Sequence, residues 1–140
     1  MKTKILRPIL ACIAFIALVT PAMAKASESE QPQVIGLMFY ADTCGSCKIL
    51  DPKVEAAQQS FANDPVLFLT FDHSNPASQK QAALLAEAVG LASVYSSEKK
   101  ASGFMLLVDP KSQQVLARIT RSMSETDIQA TIQSALEQSA

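Results

Sequence analysis

At 140 residues the chain has room for one domain, and a composition of 49% hydrophobic and 18% charged residues suits a globular protein rather than a disordered one. The formal net charge is −1. With no basic patch to track phosphates, a nucleic-acid partner is excluded from the expected roles.

The first segment differs from the rest. Lys2, Lys4 and Arg7 form a basic start, Pro8 to Val19 is nearly all apolar, and Thr20-Pro21 breaks the run. Ala22-Met23-Ala24 then supplies the small residues that signal peptidase requires, so residues 1–24 read as a secretory signal peptide. The apolar run falls short of the roughly 20 residues that span a bilayer. Membrane contact is therefore expected only through this segment, and the expected destination is the bacterial periplasm. Cys12 lies inside it and reads as a small hydrophobe lost on cleavage. Cleavage removes three of the 12 basic residues and none of the 13 acidic ones, leaving an acidic domain.

Residues 25–33 are polar and read as a flexible leader; the domain proper is expected over residues 34–140. Val34 to Tyr40 is a continuous apolar run of strand length, as in a strand covered on both faces. From Cys47 to Phe61 the pattern is helical, with Ile49, Leu50, Val54, Ala57 and Phe61 at three- and four-residue steps and Pro52 inside. Asn63-Asp64-Pro65 is a turn, and Val66 to Phe71 reads as a second buried strand. After the loop from Asp72 to Pro76, Ser78 to Val89 forms an alanine-rich helix ended by Gly90. Residues 90–102 fit either a loop or a short helix. Phe104 to Val108 and Val115 to Ile119 form a hairpin across Asp109-Pro110-Lys111-Ser112. A helix from about Ser124 carries Ile128, Ile132 and Leu136 on one face, with a Ser-x-x-Asp cap at its start. The order β-α-β-α-β-β-α implies a central mixed sheet flanked by helices on both faces.

Both cysteines of the mature chain fall in one C-x-x-C, Thr43-Cys44-Gly45-Ser46-Cys47-Lys48. Cys44 is placed where a strand ends and a helix begins, where unpaired N–H groups and the helix dipole favour a thiolate. Cys47, one turn on, is placed to resolve a mixed disulfide. A bond between them closes a four-residue loop and stabilises by only about 2 kcal/mol in the chain-entropy account, so exchange explains the pair better than stapling. The rival chemistry is metal binding. Zinc wants four ligands and the chain has no second pair, but Cys44, Cys47 and the single histidine, His73, would suit a soft ion such as Cu(I). Glycine-rich phosphate loops, H-E-x-x-H and G-x-S-x-G are absent from the sequence.

Phe39-Tyr40-Ala41-Asp42-Thr43-Cys44-Gly45-Ser46-Cys47-Lys48 is similar to the F-W-A-x-W-C-G-P-C-K of thioredoxins. Pro52 matches the proline inside that family's active-site helix. From Val34 to Ala140 the sequence resembles a thioredoxin-fold protein, an α/β fold, lacking the family's optional first strand and helix. The resemblance implies a thiol–disulfide oxidoreductase with Cys44 as nucleophile and Cys47 as resolving thiol. It implies no cofactor beyond the Cys44–Cys47 disulfide, and partners that are protein thiols or disulfides together with a membrane or periplasmic redox protein. A monomer is expected. Thr43, Ser102 and Gly103 would form the substrate platform, with Gly45, Ser46, Lys48 and Pro52 as the motif's context. The departures are Thr43 for tryptophan, Ser46 for the motif proline, Met38 for a buried aspartate, and Gly103 in or near the slot of a cis-proline. That proline helps keep metals off the cysteines in the family, so its loss is what gives the Cu(I) alternative weight.

Overall fold

A computed structural model describes residues 31–140; the signal-peptide segment, Cys12 and most of the leader lie outside the described residues. The elements are β1 (Val34–Tyr40), α1 (Gly45–Gln59), β2 (Val66–Asp72), α2 (Pro76–Ala88), α3 (Ala92–Glu98), β3 (Phe104–Val108), β4 (Val115–Thr120) and α4 (Glu125–Ser139). The sheet runs β2-β1-β3-β4, with β1 and β2 parallel and the other pairs antiparallel.

Alternation along the central strands divides the interior in two. Val34 and Met38 of β1, with Met105 and Leu107 of β3, face α1 and α4. Ile35, Leu37 and Phe39, with Phe104, Leu106 and Val108, face α2 and α3. A strand with helices on both sides has no solvent face to keep polar, which is why these two read as unbroken apolar runs.

β2 differs from expectation. Only Phe71 is fully buried and Leu67 is 38% exposed, because β2 lies at the edge of the sheet among the described residues. In α1 the buried stripe is Cys47, Leu50, Val54 and Ala57. Ile49, expected on that stripe, is 46% exposed, since adjacent helical residues point about 100° apart and Leu50 takes the inward position.

α2 starts two residues before the expected Ser78. Asn75 Oδ1 accepts the N–H groups of Ala77 and Ser78 at 2.9 and 3.0 Å, and Pro76 occupies the first turn, where its missing N–H costs nothing. The undecided stretch 90–102 contains α3, which buries Val94 and Tyr95. α4 opens on the expected capping box, in which Ser124 Oγ accepts Asp127 N–H and Asp127 Oδ2 accepts Ser124 N–H.

Candidate functional site

Cys44 is the N-cap of α1. Its backbone is extended, with φ −81° and ψ 107°, and its Sγ accepts the Cys47 N–H at 3.1 Å. Cys44 N–H donates to Ala41 O at 3.0 Å, closing the turn that leads from β1 into the helix. The sulfur thus occupies the position an N-cap oxygen usually fills, where a negative charge is favoured. Cys47, one turn later, is fully buried, and its thiol donates to Phe39 O at 3.8 Å. Both cysteines are free thiols.

The two thiols are driven apart in acidity. Partial burial pushes Cys44 up, but hydrogen bonds from the Cys47 and Ser102 side chains and from the Cys47 and Ser46 N–H groups outweigh it and hold the thiol below its ordinary value. A proline at position 46, as in the thioredoxin motif, has no N–H to give, so Ser46 adds a donor to the sulfur. Burial pushes Cys47 up, and its bond to Cys44 and the charge there push it further. At neutral pH the arrangement favours a thiolate at Cys44 over a protonated Cys47 beneath it.

Gly103 comes directly against the motif. Its φ is +91°, and a Cβ built on it would lie 2.6 Å from Ser46 Cβ and 3.1 Å from Cys44 Sγ. Its N–H donates to Phe39 O at 2.8 Å, the same carbonyl the Cys47 thiol meets. Only a glycine lets the 101–103 loop come so close to the sulfur. Among the described residues every peptide bond is trans.

Cys44, Cys47, Ser46, Ser102 and Gly103 are therefore drawn together, with Thr43 and Gly45 exposed beside them. Lys48 and Pro52 lie on the exposed side of α1. Met38 is buried in the same core as Cys47, so an apolar side chain stands where the family resemblance would put a proton acceptor.

The structure does not bring His73 to the cysteines. Its ring packs edge-on against Phe39 and Tyr95, with centroids 5.8 and 5.6 Å away, on the α2/α3 face of the sheet. Cys47 belongs to the α1/α4 face. Among the described residues no group of three or more His, Cys, Asp or Glu side chains gathers as a metal cluster would.

His73 has a consequence for stability instead. Its Nε2 is buried without a hydrogen-bond partner, and burial lowers its pKa against a smaller opposing pull from Asp72. The unfolded chain then binds a proton more readily than the folded one, so the contribution is intact above about pH 6.5, the unperturbed histidine value, and is lost as pH falls below it. Thermal melts of His73→Phe are expected to lose less midpoint than wild type between pH 7 and 5.5. Parallel curves would remove the assignment.

A dithiol with a charge-favoured sulfur at the helix start and a buried partner below it, at the carboxyl end of a central strand, defines a class of thiol-redox proteins. The comparisons agree. The thioredoxin family model matches residues 20–88. A thioredoxin family protein from Chlorobium tepidum TLS, described as a thiol:disulfide interchange protein, superposes with a TM-score of 0.51 at 16% identity over 77% of this chain and 83% of its own. MTB dsbF, solved in mixed oxidized and reduced forms, gives 0.51 at 17% identity over 77% of this chain and 84% of its own. No curated protein matches the sequence. The chain thus has a thioredoxin-like α/β fold, with its two cysteines placed for thiol redox chemistry.

Proposed function

We propose that the chain is an exported thiol–disulfide oxidoreductase that exchanges electrons with protein thiols and disulfides. The single observation that carries this reading is the N-cap geometry of Cys44, with the Cys47 N–H on its sulfur at 3.1 Å. The export it assumes rests on the pattern of residues 1–24.

In the reducing direction, the Cys44 thiolate attacks one sulfur of a client disulfide. A Cys44–client bond forms, the client S–S bond breaks, and the electron pair leaves on the client's second sulfur. Cys47 then loses its proton to solvent, since Met38 offers no base, and attacks Cys44 Sγ. The mixed disulfide breaks, the client's first sulfur departs as a thiolate, and the Cys44–Cys47 disulfide remains. Two electrons have passed to the client, and a partner dithiol in the export compartment has to return them. The oxidising direction is the same sequence reversed, and the reduction potential of the pair decides between them.

The test is equilibration of the full chain in glutathione buffers of graded ratio, followed by its effect on a disulfide-bonded model substrate. A single two-electron transition at Cys44 and Cys47, with accelerated exchange on the substrate, is the expected result. Thiols that stay reduced in all buffers, and exchange no faster than glutathione alone, would remove the proposal.

A further inference from the structure

The turn that carries Cys44 is tied to the β2–α2 loop by a chain of hydrogen bonds that the dithiol chemistry above does not use. Asp42 N–H donates to Ser74 Oγ at 2.9 Å, across 32 residues of sequence. Ser74 Oγ–H donates in turn to Asp72 Oδ1, which also accepts the Ser74 N–H at 2.8 Å. Beside this chain, His73 N–H donates to Tyr40 O at 2.8 Å, so the two loops are joined at neighbouring points. A hydroxyl used at once as acceptor and donor has one orientation, and linked bonds of this kind polarise one another.

Asp42 lies inside the Ala41–Cys44 turn, whose closing bond runs from Cys44 N–H to Ala41 O. A shift of Asp42 therefore moves the turn, and with it the extended backbone that makes Cys44 an N-cap. Asp72 suits the anchoring role. Its carboxyl is held below the usual range chiefly by the Ser74 hydroxyl and N–H, so it remains an acceptor at neutral pH.

We propose that Ser74, oriented by Asp72, is a positioning residue that holds the Ala41–Cys44 turn so that Cys44 Sγ meets the N–H groups opening α1. The role rests on the thiol reading given above. Ser74 acts only through Asp42. The ionisable groups around the turn are Cys47 on α1, Asp51 on the same helix, Tyr40 and Asp42 beside it, and Asp72 on β2. Of these only Asp72 touches the Ser74 hydroxyl; it loses that donor in Ser74→Ala and keeps it in Ser74→Thr.

The test is the pH dependence of alkylation at Cys44 in the reduced full chain, read by peptide mass spectrometry for wild type, Ser74→Ala and Ser74→Thr. Ser74→Ala is expected to move the Cys44 midpoint up by about half to one pH unit, which slows alkylation about 3- to 10-fold below the midpoint. Ser74→Thr, which keeps the hydroxyl, is expected to restore the wild-type profile. A loop staple with no bearing on the thiol would lower the melting temperature of Ser74→Ala and leave the midpoint where it was, which overturns the role. A wild-type Cys44 that titrates like a free cysteine removes the thiol reading and this role together; an unmoved Ser74→Ala on a depressed wild-type midpoint removes this role alone. If Ser74→Ala does not fold, amide exchange at Asp42 in the unmodified chain decides. A protected amide supports the tether, and free exchange overturns it.

Discussion

Replacing Cys44 by serine is expected to reduce disulfide exchange to background, a loss of about a thousandfold or more, because a thiolate and not a hydroxyl is the attacking group. Replacing Cys47 by serine is expected to do something different. Cys44 keeps most of its setting, since the backbone N–H groups of Cys47 and Ser46 still reach its sulfur, so the first attack survives. The second does not, because no thiol lies beneath the mixed disulfide to break it. Covalent client adducts should accumulate on Cys47→Ser and disappear on treatment with a small reducing thiol. The same chain carrying Cys44→Ser should form none, since Cys47 is fully buried and its acidity is pushed the wrong way. Non-reducing gels with both variants measure this directly, and equal adducts on both would reverse the assigned roles.

The second large effect belongs to Gly103. Alanine there would combine a non-glycine residue at φ +91° with a Cβ 2.6 Å from Ser46 Cβ. Backbone strain of about 1–3 kcal/mol and overpacking of about 1–3 kcal/mol together predict a loss of at least about 2 kcal/mol in unfolding free energy. The clash is with side-chain atoms of the motif itself, so the loop and the motif have to separate. That withdraws Ser102 from the sulfur, and the Cys44 titration should rise towards that of a free cysteine. Gly45→Ala is the control. A Cβ at Gly45 meets nothing within 4 Å and the residue has no positive φ, so its stability should stay within about 0.5 kcal/mol of wild type. Denaturant unfolding with alkylation of Cys44 reads both quantities on the same samples. A Gly103→Ala chain with wild-type stability would show that the loop is freer to move than its packing implies.

The central elements were legible because their patterns are physically forced. A strand buried on both faces has to be apolar throughout, which places β1 and β3 at the residues their runs occupy. Asn75-Pro76 and Ser124-x-x-Asp127 carry capping chemistry in the letters themselves, and the first starts α2 two residues ahead of where the alanine-rich pattern alone puts it. The edge position of β2 was not legible. Val66 to Phe71 is as apolar as an interior strand, and hydrophobicity along one strand holds no information about its neighbours. α3 is seven residues long, rich in serine and without a side-chain cap, so nothing local separates it from a loop.

At the site, the C-x-x-C and its place at the start of α1 could be read from the sequence. That Cys44, Cys47 and His73 do not gather among the described residues was not legible, for a reason of the same kind as β2. Successive residues of a strand point to opposite faces, and without the sheet there is no knowing which face each takes. The Ser74 tether was missed altogether, though Asp72-His73-Ser74 carries the Asp-x-Ser pattern of a side chain turning back on its own loop. The sequence pattern names the turn. Only the fold shows that the turn reaches Asp42.

All of this depends on one asymmetry, a Cys44 sulfur that ionises ahead of Cys47. The direct measurement is the alkylation rate of each cysteine in the reduced full chain from pH 4 to 10, with the two peptides resolved by mass spectrometry. Cys44 should react with a midpoint clearly below that of a free cysteine, about 8.5, while Cys47 stays unreactive until well above it. Two cysteines titrating together at the free-thiol value would contradict the account.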